Sequence, residues 1–390
     1  MKLMIIGVFL VAIFFQNNPP KAYIFSSQIE ENFSTDTTSF AYSKSAWEYA
    51  SIGAYQKAIW SYDQAYRGYP TATDQQKQYF LSFKPTDGRR YILNRAKDEQ
   101  IVMINEAHHQ PLHRTFTTSL LEELYQQGYR FLGLEALAHV DTLLNERGYP
   151  VLASGYYTQE PQFGGMIREA LQLGYTVFPY ETQIRANGKE REIQQARNIE
   201  KVFRAHPEAK FLIHCGFDHI NEMEAGNWEK AMAGRVKEYT GIDPFTINQE
   251  ILTEHFDQAK ENPYYQLVDT LKEVSVFQNE QGQVFRGGSG DKRFDVRLFH
   301  PRTTYIDGRP DWLRLDGKRK SYWLDPDDIT IDYPILVKAY VPREGQDAIP
   351  VDVIEIKEYS DQKALILPEG TYDLILKNMV GDSVALMISR

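Results

Sequence analysis

Between residues 86 and 250, short apolar runs alternate with stretches whose apolar positions recur every three to four residues. Ile101 to Ile104, Tyr129 to Leu134, Tyr175 to Pro179, Lys210 to Ile213 and Pro244 to Ile247 are nearly continuous apolar runs, as strands buried on both faces require. Thr115 to Gln127, Gly164 to Leu173, Gly188 to Ala205 and Asn227 to Tyr239 carry helical periodicity, the first two ended by Gly128 and Gly174. Strand and helix in alternation predict an α/β fold with a mostly parallel sheet and helices on both faces.

The flanks read differently. Trp47, Ala50, Tyr55, Ala58, Tyr62 and Ala65 recur at three- to five-residue steps, with Gly53 in a turn between two helices. Residues 42–85 therefore form a short helical preface, similar to half of a tetratricopeptide repeat. The α/β core with its site spans 86–255, and 256–333 is a mixed connecting region. Residues 334–390 are expected to form a β-rich C-terminal domain. The strand-like runs after 255 are Phe294 to Leu298, Thr330 to Ile335, Val353 to Ile356, Ala364 to Leu367 and Tyr372 to Leu376. Residues 23–41, polar and rich in Ser and Thr, read as a linker. Residues 1–22 read as an export signal: Lys2 precedes the apolar run Leu3 to Phe15, too short for an ordinary membrane span. No small-x-small cleavage pair follows, so an uncleaved N-terminal anchor stays open. The expected location is exported: periplasmic, secreted or held by that segment.

Composition narrows the partners. A formal net charge of −10 over 390 residues argues against nucleic acid as the main partner. Cys215 is the only cysteine, which excludes an intramolecular disulfide and a Cys-based zinc cage. The partner expected is a small-molecule or peptide substrate, with membrane contact only through the N-terminal segment.

The chemistry gathers where strands end. After Ile101–Ile104 come Asn105, Glu106, His108, His109 and His113, and after Tyr129–Leu134 comes Glu135. Glu181 follows the third strand, His214 and His219 lie at the end of the fourth, and Gln249 follows the fifth. In a parallel sheet those ends lie along one edge, where open α/β sheets bind ligands. Glu106 and His108, two apart on an extended chain, share a face. Gly216 is read as the turn that aims His219 back at the cleft, and His214 as a second supporting imidazole. Glu169 and Glu192 read as charges on solvated helix faces.

These residues resemble a superfamily that contains erythromycin esterases, ChaN-like haem-binding proteins and TraB/Tiki-type proteins. The opening pattern G-E-x-H-x-x-x-x-H is matched by Asn105, Glu106, His108 and His113, with Asn105 replacing Gly; Asn also tolerates left-handed backbone. Glu135 matches the acid after the second strand, Arg197-Asn198 the helical Arg-Asn pair, and Gly216 to His219 the closing G-x-x-H. The match covers roughly residues 95–250. It implies a hydrolase of an ester or amide in which a Glu/His cleft activates water. Arg197, a guanidinium able to clamp a carboxylate or oxyanion, and Glu181 at its strand end are the candidate substrate contacts. The superfamily's esterase branch spaces E-x-x-H and selects His109 instead of His108. Its Tiki-type branch implies a divalent metal (Mn, Zn or Co) on His108, His219, Glu106 and Glu135. Its ChaN-like branch implies haem on the same histidines at the cell envelope. A non-catalytic scaffold with a binding tail is the remaining alternative. The doubled His108-His109 fits both spacings, so cofactor or none stays open from the sequence.

Overall fold

The computed structural model describes residues 22–389 except Arg185, Asn187, Asp269 and Ser289. The expected signal or anchor in 1–22 thus lies, but for Ala22, outside the described residues. No helix among the described residues is long and apolar enough to cross a membrane.

Three helices come first among the described residues: α1 (Ser26–Ser34), α2 (Ser39–Ser51) and α3 (Tyr55–Ala65). The expected linker over 23–41 is therefore corrected. Phe25 and Ile29 are buried within it, and a few apolar anchors suffice to order a polar segment laid on a partner. The turn between α2 and α3 passes through Gly53 at φ +71°, and a Cβ there would stand 2.3 Å from the Val353 carbonyl oxygen. Both conformation and space demand glycine at this point.

The core follows as β1 (Ile101–Glu106), α4 (Leu112–Gln126), β2 (Tyr129–Leu134), α5 (Pro161–Leu173) and β3 (Thr176–Pro179). It continues with α6 (Gly188–Ala205), β4 (Lys210–Gly216), α7 (Met232–Thr240), β5 (Phe245–Asn248) and β6 (Val296–Arg297). The six strands are all parallel, in the order β3-β2-β4-β1-β5-β6. One face buries Phe116, Leu120 and Leu124 of α4 with Phe163 and Ile167 of α5. The other buries Ala196, Ile199 and Phe203 of α6 with Met232 and Val236 of α7. Every residue of β1 is buried, as its unbroken apolar run requires. β6 lies inside the strand-like run expected at Phe294 to Leu298, while α7 starts five residues later than the periodicity places it.

Beyond residue 330 lie β7 (Ile335–Tyr340), β8 (Asp352–Ile356), β9 (Thr371–Asn378) and β10 (Ser383–Ser389), an antiparallel sheet ordered β8-β7-β9-β10. The strand expected at Thr330–Ile335 begins at its last residue instead. A separate ladder pairs Arg319–Tyr322 with Leu365–Pro368. Ile335, Val337 and Ala339 pack toward Leu365 and Leu367 of that ladder. Leu336 and Val353 point the other way and meet Ile29, Tyr49 and Ala58 of the N-terminal helices. This is the two-residue period of a strand seen from both faces. The first and last parts of the chain thus share one hydrophobic core.

Candidate functional site

Strand register brings the chemistry together. β1 and β4 pair Glu106 with Gly216 and Ile104 with His214, while β2 and β4 pair Leu134 with His214. Glu106, Glu135 and Gly216 therefore sit side by side at one edge, and His219 follows on a short 3-10 turn, Phe217–Ile220. Glu106, Glu135, His108 and His219 are all at most 9% exposed.

Glu106 is fully engaged. Arg114, in the first turn of α4, donates from Nε to Oε2 (2.6 Å) and from Nη2 to Oε1 (2.7 Å). His108 Nδ1 lies 2.8 Å from Oε1 and His214 Nε2 2.9 Å from Oε2. Burial alone would favour the neutral acid, but Arg114 with the two imidazoles holds the carboxyl well below the usual carboxylate range. An ionised carboxylate only accepts, so Nδ1 of His108 carries a proton and donates it. Nε2 is then the basic nitrogen; among the described residues the one ring hydrogen bond of His108 is that of Nδ1 to Glu106. The ring is stacked on Tyr157 at 3.9 Å, which fixes its plane.

Gly216 is extended (φ −85°, ψ 146°), so the turn expected at this residue is corrected. Phe217 makes the turn at φ +43°, and its carbonyl accepts from Asn105 Nδ2 (2.8 Å). Glycine is required at 216 by space: a Cβ would stand 2.6 Å from His108 Nε2 and 3.4 Å from Glu135 Oε2. Asn105 likewise has strand backbone, not a left-handed one. Its amide ties strand ends together, accepting from the Gln249 N–H (2.9 Å), and Gln249 Nε2 returns a bond to the Asn105 carbonyl (2.7 Å).

Beside this lies a second charge cluster. Glu135 accepts the Gly216 N–H (2.6 Å) on one oxygen and Arg191 Nη2 (2.6 Å) on the other, with His219 Nε2 at 3.3 Å. Arg191 also binds Glu181, which Gln195 holds from the side. Glu192 accepts His219 Nδ1 (2.9 Å) and the Met232 N–H (2.8 Å). Glu192 is fully buried, so its reading as a solvated charge is corrected. Burial penalises a charged His219, but Glu192 and Glu135 outweigh it and push the imidazole up to about 10. Glu135 moves the opposite way: burial raises it, while His219 and Arg191 hold it below the carboxylate range. Arg191 Nη1 lies 3.0 Å from His219 Nε2, a bond only the neutral ring can accept. The charged ring instead turns that proton to Glu135, so the nitrogen has a defined partner in either state.

A consequence for stability follows. His219 is raised from 6.5 in the unfolded chain, so its contribution is complete below pH 6.5 and is lost as pH rises through about 10. The urea midpoint should fall between pH 7 and pH 10, and fall less in His219→Gln. Parallel declines in the two proteins would refute the assigned charge.

His109 turns away from the cleft. It stacks on Tyr62 of α3 at 3.7 Å, makes no hydrogen bond among the described residues and is held neutral, chiefly by burial. His113 accepts the Ala107 N–H at Nδ1 (3.0 Å) and packs against His300. Arg197 points outward, paired with Glu200 (2.6 Å) over the Tyr239 ring. Its neighbour Asn198 reaches the site loop, donating to the Tyr180 carbonyl (3.0 Å). Cys215 is buried, and burial pushes its thiol up, as an inert core residue requires. The sequence does not single out Arg114, Arg191 or Glu160, and it offers Glu192 only as a solvated charge. Position was the signal for the first two: each opens a helix that starts just past a strand end.

Metal ligation fits this arrangement poorly. Two guanidinium groups occupy the carboxylate faces that a divalent cation would need, and Glu106 has no free lone pair left. Among the described residues no three His, Cys, Asp or Glu side chains are grouped to hold a metal ion. Haem fits no better, because Nε2 of His108 faces the Gly216 backbone and Glu135 at close quarters. Two cavities lie elsewhere: about 10 Å³ beside His109, and about 310 Å³ between Phe33, Tyr49, Trp60 and Phe256. Cover over the cleft comes from Tyr157, itself met edge-on by Trp47 of α2 (5.1 Å), and from Trp228 stacked on His219 (5.1 Å). Buried Asp63 of α3 anchors that cover, accepting from His255 Nδ1 (2.7 Å) and the Asp257 N–H (2.9 Å).

No family model matches the chain, and no curated protein matches it. Among solved structures it is similar to the type III effector HopBA1, at 12% identity and a TM-score of 0.35 over 56% of this chain and 97% of that one. It is also similar to RRSP, a MARTX toxin effector domain from Vibrio vulnificus CMCP6 (14% identity, TM-score 0.31, 70% and 49% covered). A third neighbour carries the description "Bacterial protein toxins" (12%, 0.32, 60% and 46%). The chain spans about half the length of the latter two. The structural neighbours are thus bacterial effector and toxin domains. At these scores the functional reading rests on the geometry of the site.

Proposed function

We propose that the protein is an exported hydrolase that activates water with His108 against an ester or amide carbonyl. The observation that carries this reading is the buried Arg114–Glu106–His108 relay, which leaves Nε2 of His108 as the basic nitrogen, beside Gly216 and Glu135. Glu106 fixes the tautomer and stabilises the imidazolium that forms. His108 Nε2 takes a proton from water as the oxygen bonds to the carbonyl carbon. The oxyanion that develops lies toward Arg191 and His219, cations preorganised by Glu181, Glu135 and Glu192. As it collapses, the bond to the leaving group breaks and the imidazolium returns its proton there. Arg191 takes the substrate-facing role expected of Arg197, and Glu181 acts by holding Arg191. No step needs a metal. Export rests on the apolar run Leu3 to Phe15.

His108 is only 9% exposed, so turnover is expected to be slow with minimal substrates. The test is a panel of p-nitrophenyl esters and peptidyl anilides. Hydrolysis should fall at least a hundredfold in Glu106→Gln and in Arg191→Gln. A rate shared equally by wild type and both variants would sink the proposal.

A further inference from the structure

The last strand leaves something undone. β10 pairs only with β9 among the described residues, so its outer row of N–H and C=O groups is unpaired. Natural sheets guard such an edge with charge, proline, a bulge or a covering element. This chain does so at β3, the outer strand of the parallel sheet. There the Asn145 amide bonds both the Val177 carbonyl and the Val177 N–H (2.8 Å each). β10 has no such guard: Ser383-Val384-Ala385-Leu386-Met387-Ile388-Ser389 contains no charge and no proline.

The hydrophobic layer under it also stops short. On β9, Tyr372, Leu374 and Leu376 are fully buried, while their neighbours Val384, Leu386 and Ile388 on β10 are only half-buried. On the opposite face Met387 is 73% exposed, and Val380 in the preceding turn is 83% exposed.

The sequence indicates what would complete both. Read backwards from Leu386, the strand keeps its character position by position. Ser383 corresponds to Ser389, branched Val384 to branched Ile388, and Ala385 to Met387. An antiparallel partner of the same sequence would set half-buried aliphatics opposite one another on one face and small or flexible side chains on the other. Such cross-strand pairs are the unit of sheet stability. A two-fold axis through Leu386 makes the contact isologous and closed.

We propose that β10 is a self-association edge: two copies pair antiparallel along Ser383–Ser389, centred on Leu386, and join their sheets into one of eight strands. The contact is narrow and belongs with weak, concentration-dependent interfaces. It leaves the catalytic edge untouched, since β10 lies on the C-terminal sheet.

The experiment is sedimentation of the full chain from low micromolar to several hundred micromolar, comparing wild type, A385K/M387K and A385E/M387K. Positions 385 and 387 face each other across the axis and are exposed in the single chain, so both variants should keep the wild-type circular dichroism and melting temperature. The wild-type mass should rise toward twice that of one chain. A385K/M387K, with four like charges around the axis, should stay at one chain. A385E/M387K, with opposite charges facing, should associate again. A wild type that stays single at every concentration overturns the proposal. So does association that A385K/M387K leaves intact, or that A385E/M387K fails to restore.

Discussion

Glu106→Ala is expected to cost about 3–5 kcal/mol of stability, the range for removing one partner of a buried ion pair. The reason is what it strands. Arg114, with a side chain 1% exposed, would keep only Glu160 as a charged partner, and His108 and His214 would lose the acceptor that orders them. Glu181→Ala should cost about 1 kcal/mol or less, because that carboxylate is 27% exposed and water can replace it. Urea unfolding of the two variants checks the contrast. Equal losses would mean that Glu106 is not the keystone its burial indicates.

The second large effect separates adjacent imidazoles. His108→Ala should lower hydrolysis by about 10²–10⁴-fold, the usual range for a general base. His109→Ala should stay within a few-fold. Glu106 touches the first ring and not the second, and His109 is stacked under Tyr62 with no acid beside it. Reversal of that order would return the assignment to the E-x-x-H spacing. Both proteins should fold, since Glu106 retains Arg114 and His214 when His108 is lost.

Much of the core was legible because parallel strands buried on both faces leave unbroken apolar runs. β1 to β5 announce themselves that way, and the polar residue ending each marks the site edge. Glu106, His108, Glu135, His214 and His219 were found through position alone, and strand register brings them together. What stayed hidden depends on pairing across distant segments. Glu192 looks like any charge on a polar helix until α6 turns that face onto His219 and the Met232 N–H. Arg197 looks like the better substrate clamp because its neighbour Asn198 completes a familiar pair, yet a helix turn carries the two side chains apart. Spacing could not choose between His108 and His109, since on a loop either can face the cleft. Likewise, the polar residues 23–41 conceal a helix, because its order comes from Phe25 and Ile29 against the distant β unit and not from local periodicity.

The helical preface and the C-terminal sheet gain a role from this arrangement. Together they hold Trp47 against Tyr157 and Tyr62 against His109, so the two flanks roof the candidate site. That roof covers the side of His108 and His109, while Trp228 covers His219.

The proposed mechanism turns on an imidazole oriented by a carboxylate that arginine, and not a metal, holds in place. The most direct measurement is the hydrolysis rate of the full chain before and after exhaustive dialysis against a chelator, with His108→Ala alongside. The rate should survive chelation and vanish in the variant. A rate that chelation abolishes and added Mn, Zn or Co restores would contradict it, and would put a cation where Arg114 and Arg191 now stand.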